Sequence, residues 1–279
     1  MRITLVGPGR AGMSLALASQ ASGHRIVTVV ARNLESARTA AEEVGANAAV
    51  LSTQLEPSDL WIIATRDDAI GEVARALSDL LAEGTPPPKV AFHLSGMMSV
   101  AALDSLRTAG VPTASLHPLQ TMPNPQVGSE RLPGSWFAVT AEDDSHPLLV
   151  EFVESLGGRP FRLQDSAKAV YHAAAAAAAN FTLANMVVAQ DLLDSIDVPI
   201  AVLGPLMDAI VSNAIAIGPR AALTGPIARG DVETVASQIR AVATNAPELL
   251  SLFVANVAFL VRIAGRSEEF ADLVDEYAV

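Results

Sequence analysis

The first twenty residues constrain the fold more than any other stretch. Ile3-Thr4-Leu5-Val6 is a short apolar run of β type, and it leads directly into Gly7-Pro8-Gly9-Arg10-Ala11-Gly12. An alanine- and leucine-rich helical pattern follows, Ala11–Ser22. Glycine at the first, third and sixth places of a strand-to-helix loop meets three separate physical needs. Gly7 permits the tight turn, Gly9 lets a bulky anion approach the backbone, and Gly12 lets the helix pack closely on the strand. The unpaired N–H groups at the start of the helix then face that anion. A bare glycine turn would carry the same letters; the strand before it and the helix after it point to a pyrophosphate, and so to a dinucleotide.

The pattern continues. Further apolar runs of β type lie at Ile26–Ala31, Ala48–Leu51, Leu60–Ala64, Val90–Leu94, Thr113–Leu116 and Trp136–Thr140, with helical stretches between several of them, as at Leu34–Val44 and Ala69–Leu81. Continuous apolar strands alternating with helices predict a parallel sheet covered on both faces. After Leu163 the strand signal disappears, and Asp165–Leu193, Ile200–Ile217, Asp231–Thr244, Pro247–Gly265 and Glu268–Tyr277 read as helices. The expected fold is therefore α/β: a Rossmann-type doubly wound domain over residues 1–163, then an all-helical dimerisation and substrate domain over residues 164–279.

Composition narrows the function classes. Of 279 residues 51% are hydrophobic and 17% charged, which excludes a disordered chain, and the formal charge of −12 disfavours nucleic acid and anionic lipid. Without cysteine there is no disulfide, thiolate nucleophile or cysteine zinc site, and no metal centre is expected. The two longest apolar stretches, Leu249–Val261 and Val198–Gly218, are interrupted by Ser251 and Asn256, and by Pro205, Asp208 and Asn213. Neither reads as a membrane span, and the N-terminus shows no signal-peptide pattern. A cytoplasmic protein is expected, with its surplus apolar surface in a homodimer interface formed by the helical domain.

The end of the second strand should choose the cofactor. It reads Val30-Ala31-Arg32-Asn33, with Arg32 where an acid would grip a ribose 2′-hydroxyl. Arginine suits a 2′-phosphate, with Asn33 and Arg10 as further donors, so NADP is the expected cofactor. Three more strand ends are polar: Ala64-Thr65-Arg66-Asp67, His93-Leu94-Ser95-Gly96 and Leu116-His117-Pro118. They should converge at the carboxyl edge of the sheet, where such folds bind ligands. His24 and His146 lie in turns and read as surface residues.

The long helix opens with Asp165 and Ser166 as candidate caps and carries Lys168, Tyr171, His172 and Asn180. Lys168, His172 and Asn180 fall on one stripe about 120° wide, among small alanines. Only two of the eighteen basic residues are lysines, Lys89 and Lys168, so an ammonium kept in this helix points either to a tunable pKa or to a side chain snorkelling from a packing helix. Arg229, in Arg229-Gly230-Asp231, is a candidate carboxylate clamp or a partner of Asp231, which also reads as a helix cap.

These motifs resemble the superfamily of 6-phosphogluconate dehydrogenase, pyrroline-5-carboxylate reductase, ketopantoate reductase and prephenate dehydrogenase, and more closely a functionally uncharacterised family within it. The resemblance rests on the glycine loop, His93-Leu94-Ser95-Gly96, Leu116-His117-Pro118, Tyr171-His172 before the alanine run with Asn180, and Leu223-Thr224-Gly225-Pro226 through Arg229-Gly230-Asp231. It implies that Ser95, His117 and His172 match, in order, the serine and two histidines of a prephenate dehydrogenase site. Lys168 resembles the early-helix lysine of hydroxyacid dehydrogenases and ketopantoate reductase, although His172 stands where those enzymes place asparagine.

Together these readings describe an NADP(H)-dependent oxidoreductase acting on a small carboxylate-bearing carbonyl, imine or alcohol. Thr65 and the glycine loop would hold the cofactor. His117 or His172 would handle the proton, Ser95 would orient the substrate oxygen, and Lys168, Asn180 and Arg229 would bind or assist the substrate. Ketopantoate reductase is the alternative within the enzyme class. A non-catalytic NADP(H)-binding sensor or scaffold dimer is the alternative outside it.

Overall fold

The computed structural model describes residues 1–277. The chain divides into two compact units, Met1–Ala175 and a second that starts at Ala176. In chain order the first unit holds β1 (Arg2–Val6), α1 (Arg10–Ala21), β2 (Arg25–Val30), α2 (Leu34–Glu43), β3 (Asn47–Ala49) and β4 (Leu60–Ile63). It continues with α3 (Ile70–Ala82), β5 (Val90–His93), α4 (Asp104–Thr108), β6 (Thr113–Pro118), α5 (Pro125–Arg131), β7 (Trp136–Ala141), α6 (His146–Ser155) and β8 (Arg159–Arg162). The eight strands form one sheet in the order β3-β2-β1-β4-β5-β6-β7-β8. All neighbours are parallel except β6 and β7. Chain order reverses on either side of β1, which places the ligand crevice of such a sheet at the carboxyl ends of β1 and β4.

The near-continuous apolar strands are explained by burial on both faces. Leu5, Ile62, Phe92, Leu116 and Val139 pack on one face with Leu15 of α1 and Phe152 of α6. Val6, Trp61, Ile63 and Ala91 pack on the other with Ile70 and Leu77 of α3 and Leu106 of α4. The sheet has one strand more than the sequence pattern suggests. Its last strand reads Arg-Pro-Phe-Arg, a charged, proline-bearing edge that hides its strand character.

The next helix, α7 (Lys168–Asp194), is entered through a short 3₁₀ turn at Asp165–Ala167 and crosses the division between the units. Its opening residues therefore pack with the sheet, and the compact units part at residues 175/176 where composition alone suggested 163/164. Asp165 does not cap the helix: its carboxylate accepts Ser99 Oγ–H and the Val100 amide. The second unit continues through α8 (Gly204–Ile217), α9 (Pro226–Arg229), α10 (Val232–Asn245), α11 (Leu250–Ile263) and α12 (Ala271–Tyr277). Asp231 caps α10 by accepting the Thr234 amide at 3.1 Å, as its position suggested. The core of this unit joins Ile227, Val235, Ile239, Val257 and Phe270. By contrast α8 has no buried residue, and Phe181, Leu183 and Ile215 are 62%, 61% and 84% exposed. Asp165–Asp194 and Ile200–Ile217 are long and apolar enough to cross a membrane by length and composition. This differs from the reading of interrupted stretches, because a helix can dilute one or two polar residues among many apolar ones.

Candidate active site

The loop after β1 has the geometry its spacing implies. Gly7 takes the left-handed region at φ +92°, and its amide donates to Val30 O. A Cβ there would lie within 3 Å of Ala64 and Thr65, and one on Gly12 would meet Gly7 O at 2.5 Å, whereas one on Gly9 would meet nothing within 4 Å. Two of the glycines are thus forced by close packing, and the third faces open space. Gly9 caps α1 without any side-chain hydrogen bond, so the first amides of the helix are left to a ligand. Pro8 completes the loop. Thr65 Oγ1 is buried with no partner among the described residues. A cavity of about 380 Å³ runs from Gly9, Arg10 and Ala11 past Thr65 to Leu94 and His117. These features fit a dinucleotide: bare amides for the pyrophosphate, an orphan hydroxyl, and room on the Gly9 side.

Arg32 is exposed just beyond β2, where a 2′-phosphate would be read. Asn33 has a second task. Its Oδ1 caps α2 by accepting the Ser36 amide at 2.8 Å, so only its amide nitrogen remains for a ligand.

Beside this cavity the sheet buries an unusual set of polar groups. His93, Ser95, Ser115 and Lys168 are all at most 9% exposed. His93 pairs with Ser115 across β5 and β6, which puts both side chains on one face. The first turn of α7 brings Lys168 onto that row, where Nζ donates to Ser115 Oγ at 2.5 Å and, more weakly, to Ser95 O at 3.4 Å. Burial lowers the Lys168 pKa to about 8, against the opposing pull of Asp165 and Asp67. At 2% exposure the lysine neither snorkels nor reaches a substrate carboxylate. It acts as an internal strut between α7, β6 and the loop after β5. Ser115 beside a lysine of depressed pKa resembles a nucleophile with its base, but at 1% exposure no substrate reaches it.

Ser95 also departs from its expected role. Its hydroxyl donates to Asp67 Oδ2 at 2.8 Å and accepts the amides of Met97 and Met98. Its proton and its lone pairs are thus engaged in holding the loop, rather than in orienting a substrate oxygen. His93 is held the same way: Nδ1 accepts the Ser95 amide and Nε2 donates to Ser99 O, while burial, with Lys168 adding to it, lowers its pKa to about 4.

His117 is the histidine that lines the cavity. Burial is the main cause that lowers its pKa to about 4, with His172 and Lys168 adding to the shift, so it is a neutral imidazole at pH 7. Its Nδ1 lies 2.8 Å from Tyr171 Oη, and its ring meets Tyr171 and His172 edge-on with centroids 5.5 and 6.2 Å apart. His172 is exposed. Asn180 and Arg229, both exposed, belong to the second unit. His24 and His146 are half-buried rather than superficial, and His24 bonds both Met1 N and Ser155 Oγ. Sequence reading missed Asp67, Ser115 and the use of Tyr171. The one available signal was the period of two along β6, which places Ser115 on the face of His117.

Residues 2–85 match the family described as NADP oxidoreductase, coenzyme F420-dependent, and residues 135–258 match a domain of unknown function, DUF2520. No curated protein matches the sequence. Among solved structures, a protein of Bacteroides fragilis assigned as an NADP oxidoreductase aligns at 24% identity and TM-score 0.76, over 94% of this chain and 98% of that one. An imine reductase from Myxococcus stipitatus in complex with NADP+ aligns at 15% and 0.64, over 96% and 94%. A pyrroline-5-carboxylate reductase from Coxiella burnetii aligns at 16% and 0.58, over 94% and 97%. The chain thus carries, in order, a segment matching the NADP oxidoreductase model and a segment matching the DUF2520 model, on a fold shared with these solved structures.

Proposed function

We propose that the protein is an NADP(H)-dependent dehydrogenase or reductase for a small carbonyl, imine or alcohol substrate that carries a carboxylate. The observation that carries this reading is the continuity of one cavity from the glycine loop to His117. Bound there, NADPH supplies a hydride from its nicotinamide ring. The amides at the start of α1 bind the pyrophosphate, Thr65 Oγ1 gains its missing partner, and Arg32 with Arg10 reads the 2′-phosphate. His117 hydrogen-bonds the reacting heteroatom, and exposed His172 stands beside it. Lys168 and Ser95 serve by fixing the loop under His117. Imine- and pyrroline-carboxylate-reducing neighbours of the same fold support an imine as readily as a ketone; ketopantoate is the specific ketone to include.

The test is a fluorescence titration with NADPH and NADH, followed by NADPH oxidation with a panel of keto acids and cyclic imines. Preference for NADPH by tenfold or more, with turnover on one panel member, is expected. Equal NADH affinity overturns the cofactor assignment. Tight NADPH binding with no turnover on any member favours the non-catalytic NADP(H)-binding dimer instead.

We further propose that the helical unit pairs with a second copy, in the cytoplasm. The bare faces of α7 and α8 support this, because contiguous exposed apolar surface marks an interface. Pro205 and Asp208 within α8 suit a protein partner better than lipid.

A further inference from the structure

His117 is held from two sides by features that the reaction scheme above leaves unused. On one side lies Gly96, where a Cβ would come within about 3 Å of three ring atoms, so the imidazole rests directly on backbone. On the other lies Tyr171. Strand register explains how the tyrosine gets there. His117 pairs with Ala138 across β6 and β7, and Ala138 pairs with Phe161 across β7 and β8, so the three side chains form a row on one sheet face. The methyl of Ala138 leaves a gap in that row. Tyr171, one turn after the anchored Lys168, packs at this gap with edge-on contacts to His117 at 5.5 Å and to Phe161 at 5.9 Å. Its hydroxyl then lies 2.8 Å from His117 Nδ1.

We propose that Tyr171 is a positioning residue for His117: its hydroxyl donates to Nδ1, fixing the imidazole as the Nε2–H tautomer, so that Nε2–H is the donor the ring has left for substrate. The chemistry of the pair sets the direction of the bond. A phenol is a better donor than acceptor, and an unprotonated imidazole nitrogen is the reverse. Burial keeps the tyrosine protonated, pushing its pKa up to about 12, and disfavours the imidazolium. Around the ring stand His172, Lys168 and Asp67; the first two oppose a second proton and only Asp67 favours one. The same tautomer is already set at His93, whose Nδ1 accepts an amide while Nε2 donates to a carbonyl.

Only the kinetic part of this proposal rests on the hydride-transfer reading, and the test separates the two. Nitrogen-15 NMR of the full chain labelled at histidine, with His117→Gln assigning the resonances, should show His117 Nδ1 unprotonated and Nε2 protonated at pH 7. Tyr171→Phe should yield a mixture of tautomers and lower kcat about tenfold, with NADPH affinity unchanged. Ala138→Leu, which fills the gap from the sheet side, should do the same while keeping the phenol. A wild-type Nδ1–H signal, a tautomer unmoved in both variants, or a moved tautomer with unchanged kcat overturns the proposal. The expected spectra from a chain that turns over no substrate would remove the catalytic reading of His117 and leave its positioning by Tyr171 standing.

Discussion

The two units of the chain fail to satisfy themselves in opposite ways. The first buries its apolar side chains on both faces of the sheet, and what is out of place there is polar: His93, Ser95, Ser115 and Lys168 inside, and an orphan Thr65 hydroxyl in the glycine cradle. The second keeps a small apolar core, and what is out of place there is apolar: the faces of α7 beyond Ala176 and of α8, left in solvent. Buried polar groups cost free energy unless paired, and exposed apolar faces cost it unless covered. In the function proposed above, a ligand and internal hydrogen bonds answer one misfit and a second copy of the chain answers the other. Each can be broken separately.

The largest effect is expected at Gly9. A Cβ there meets nothing within 4 Å, so Gly9→Val should leave the fold intact while occupying the space a pyrophosphate needs. NADPH affinity should fall at least about a hundredfold, which is roughly 3 kcal/mol, with a melting temperature close to wild type. A Gly9→Val protein that still binds NADPH would show that the cavity is not the cofactor's. Gly12→Val should lose binding and stability together, because its Cβ would strike Gly7 O. Next in size is Ile215→Glu in α8, which puts a charge on the most exposed large apolar side chain among the described residues of the second unit. Analytical ultracentrifugation should show a dimer weakened by on the order of a hundredfold. An unchanged dimer would move the interface elsewhere.

The contrast also explains what could be read from the amino acids alone. The glycine loop, the strands of the sheet centre and the run of C-terminal helices were legible because period and punctuation act locally. The edge strand β8 was not, since Arg159-Pro160-Phe161-Arg162 gains its place only by pairing with β7. Among the residues singled out by motif, Gly9, Thr65 and His117 line one cavity, and Gly7 and Gly12 are closely packed. Ser95 and Lys168 carried the right chemistry in the motif but another task in the fold. Their partners, Asp67 at 28 residues' distance and Ser115 at 53, are fixed by tertiary packing that no local pattern encodes.

Smaller effects come from the buried polar groups, and their signs differ. His93 and His117 have folded pKa values of about 4 against an ordinary 6.5. Between those values the unfolded chain binds more protons, so stability that is complete above pH 6.5 is lost as pH falls toward 4. The full shifts set a ceiling of about 3 kcal/mol per histidine, and urea unfolding at pH 7 and pH 5 should show a loss of up to about 4 kcal/mol in all, about 2 from each. Replacing His93 by glutamine should remove part of that slope. For Lys168 the window lies on the alkaline side. Its folded pKa of about 8 is below the ordinary 10.5, so the cost of its buried ammonium, present at pH 7, is relieved as pH rises from 8 to 10.5. Wild-type stability should therefore gain about 1–2 kcal/mol across that range relative to Lys168→Met, which lacks the group, while Tyr171 affects both proteins alike. At pH 7 the methionine variant should be at least as stable as wild type, because an apolar side chain of similar length replaces a desolvated charge. Its kcat should nevertheless fall, since the loop that carries Gly96 beneath His117 loses its tie to Ser95 O. A methionine variant that kept full turnover would make the lysine a matter of folding alone, and a profile as steep as wild type between pH 8 and 10.5 would mean that the ammonium is not the group being relieved.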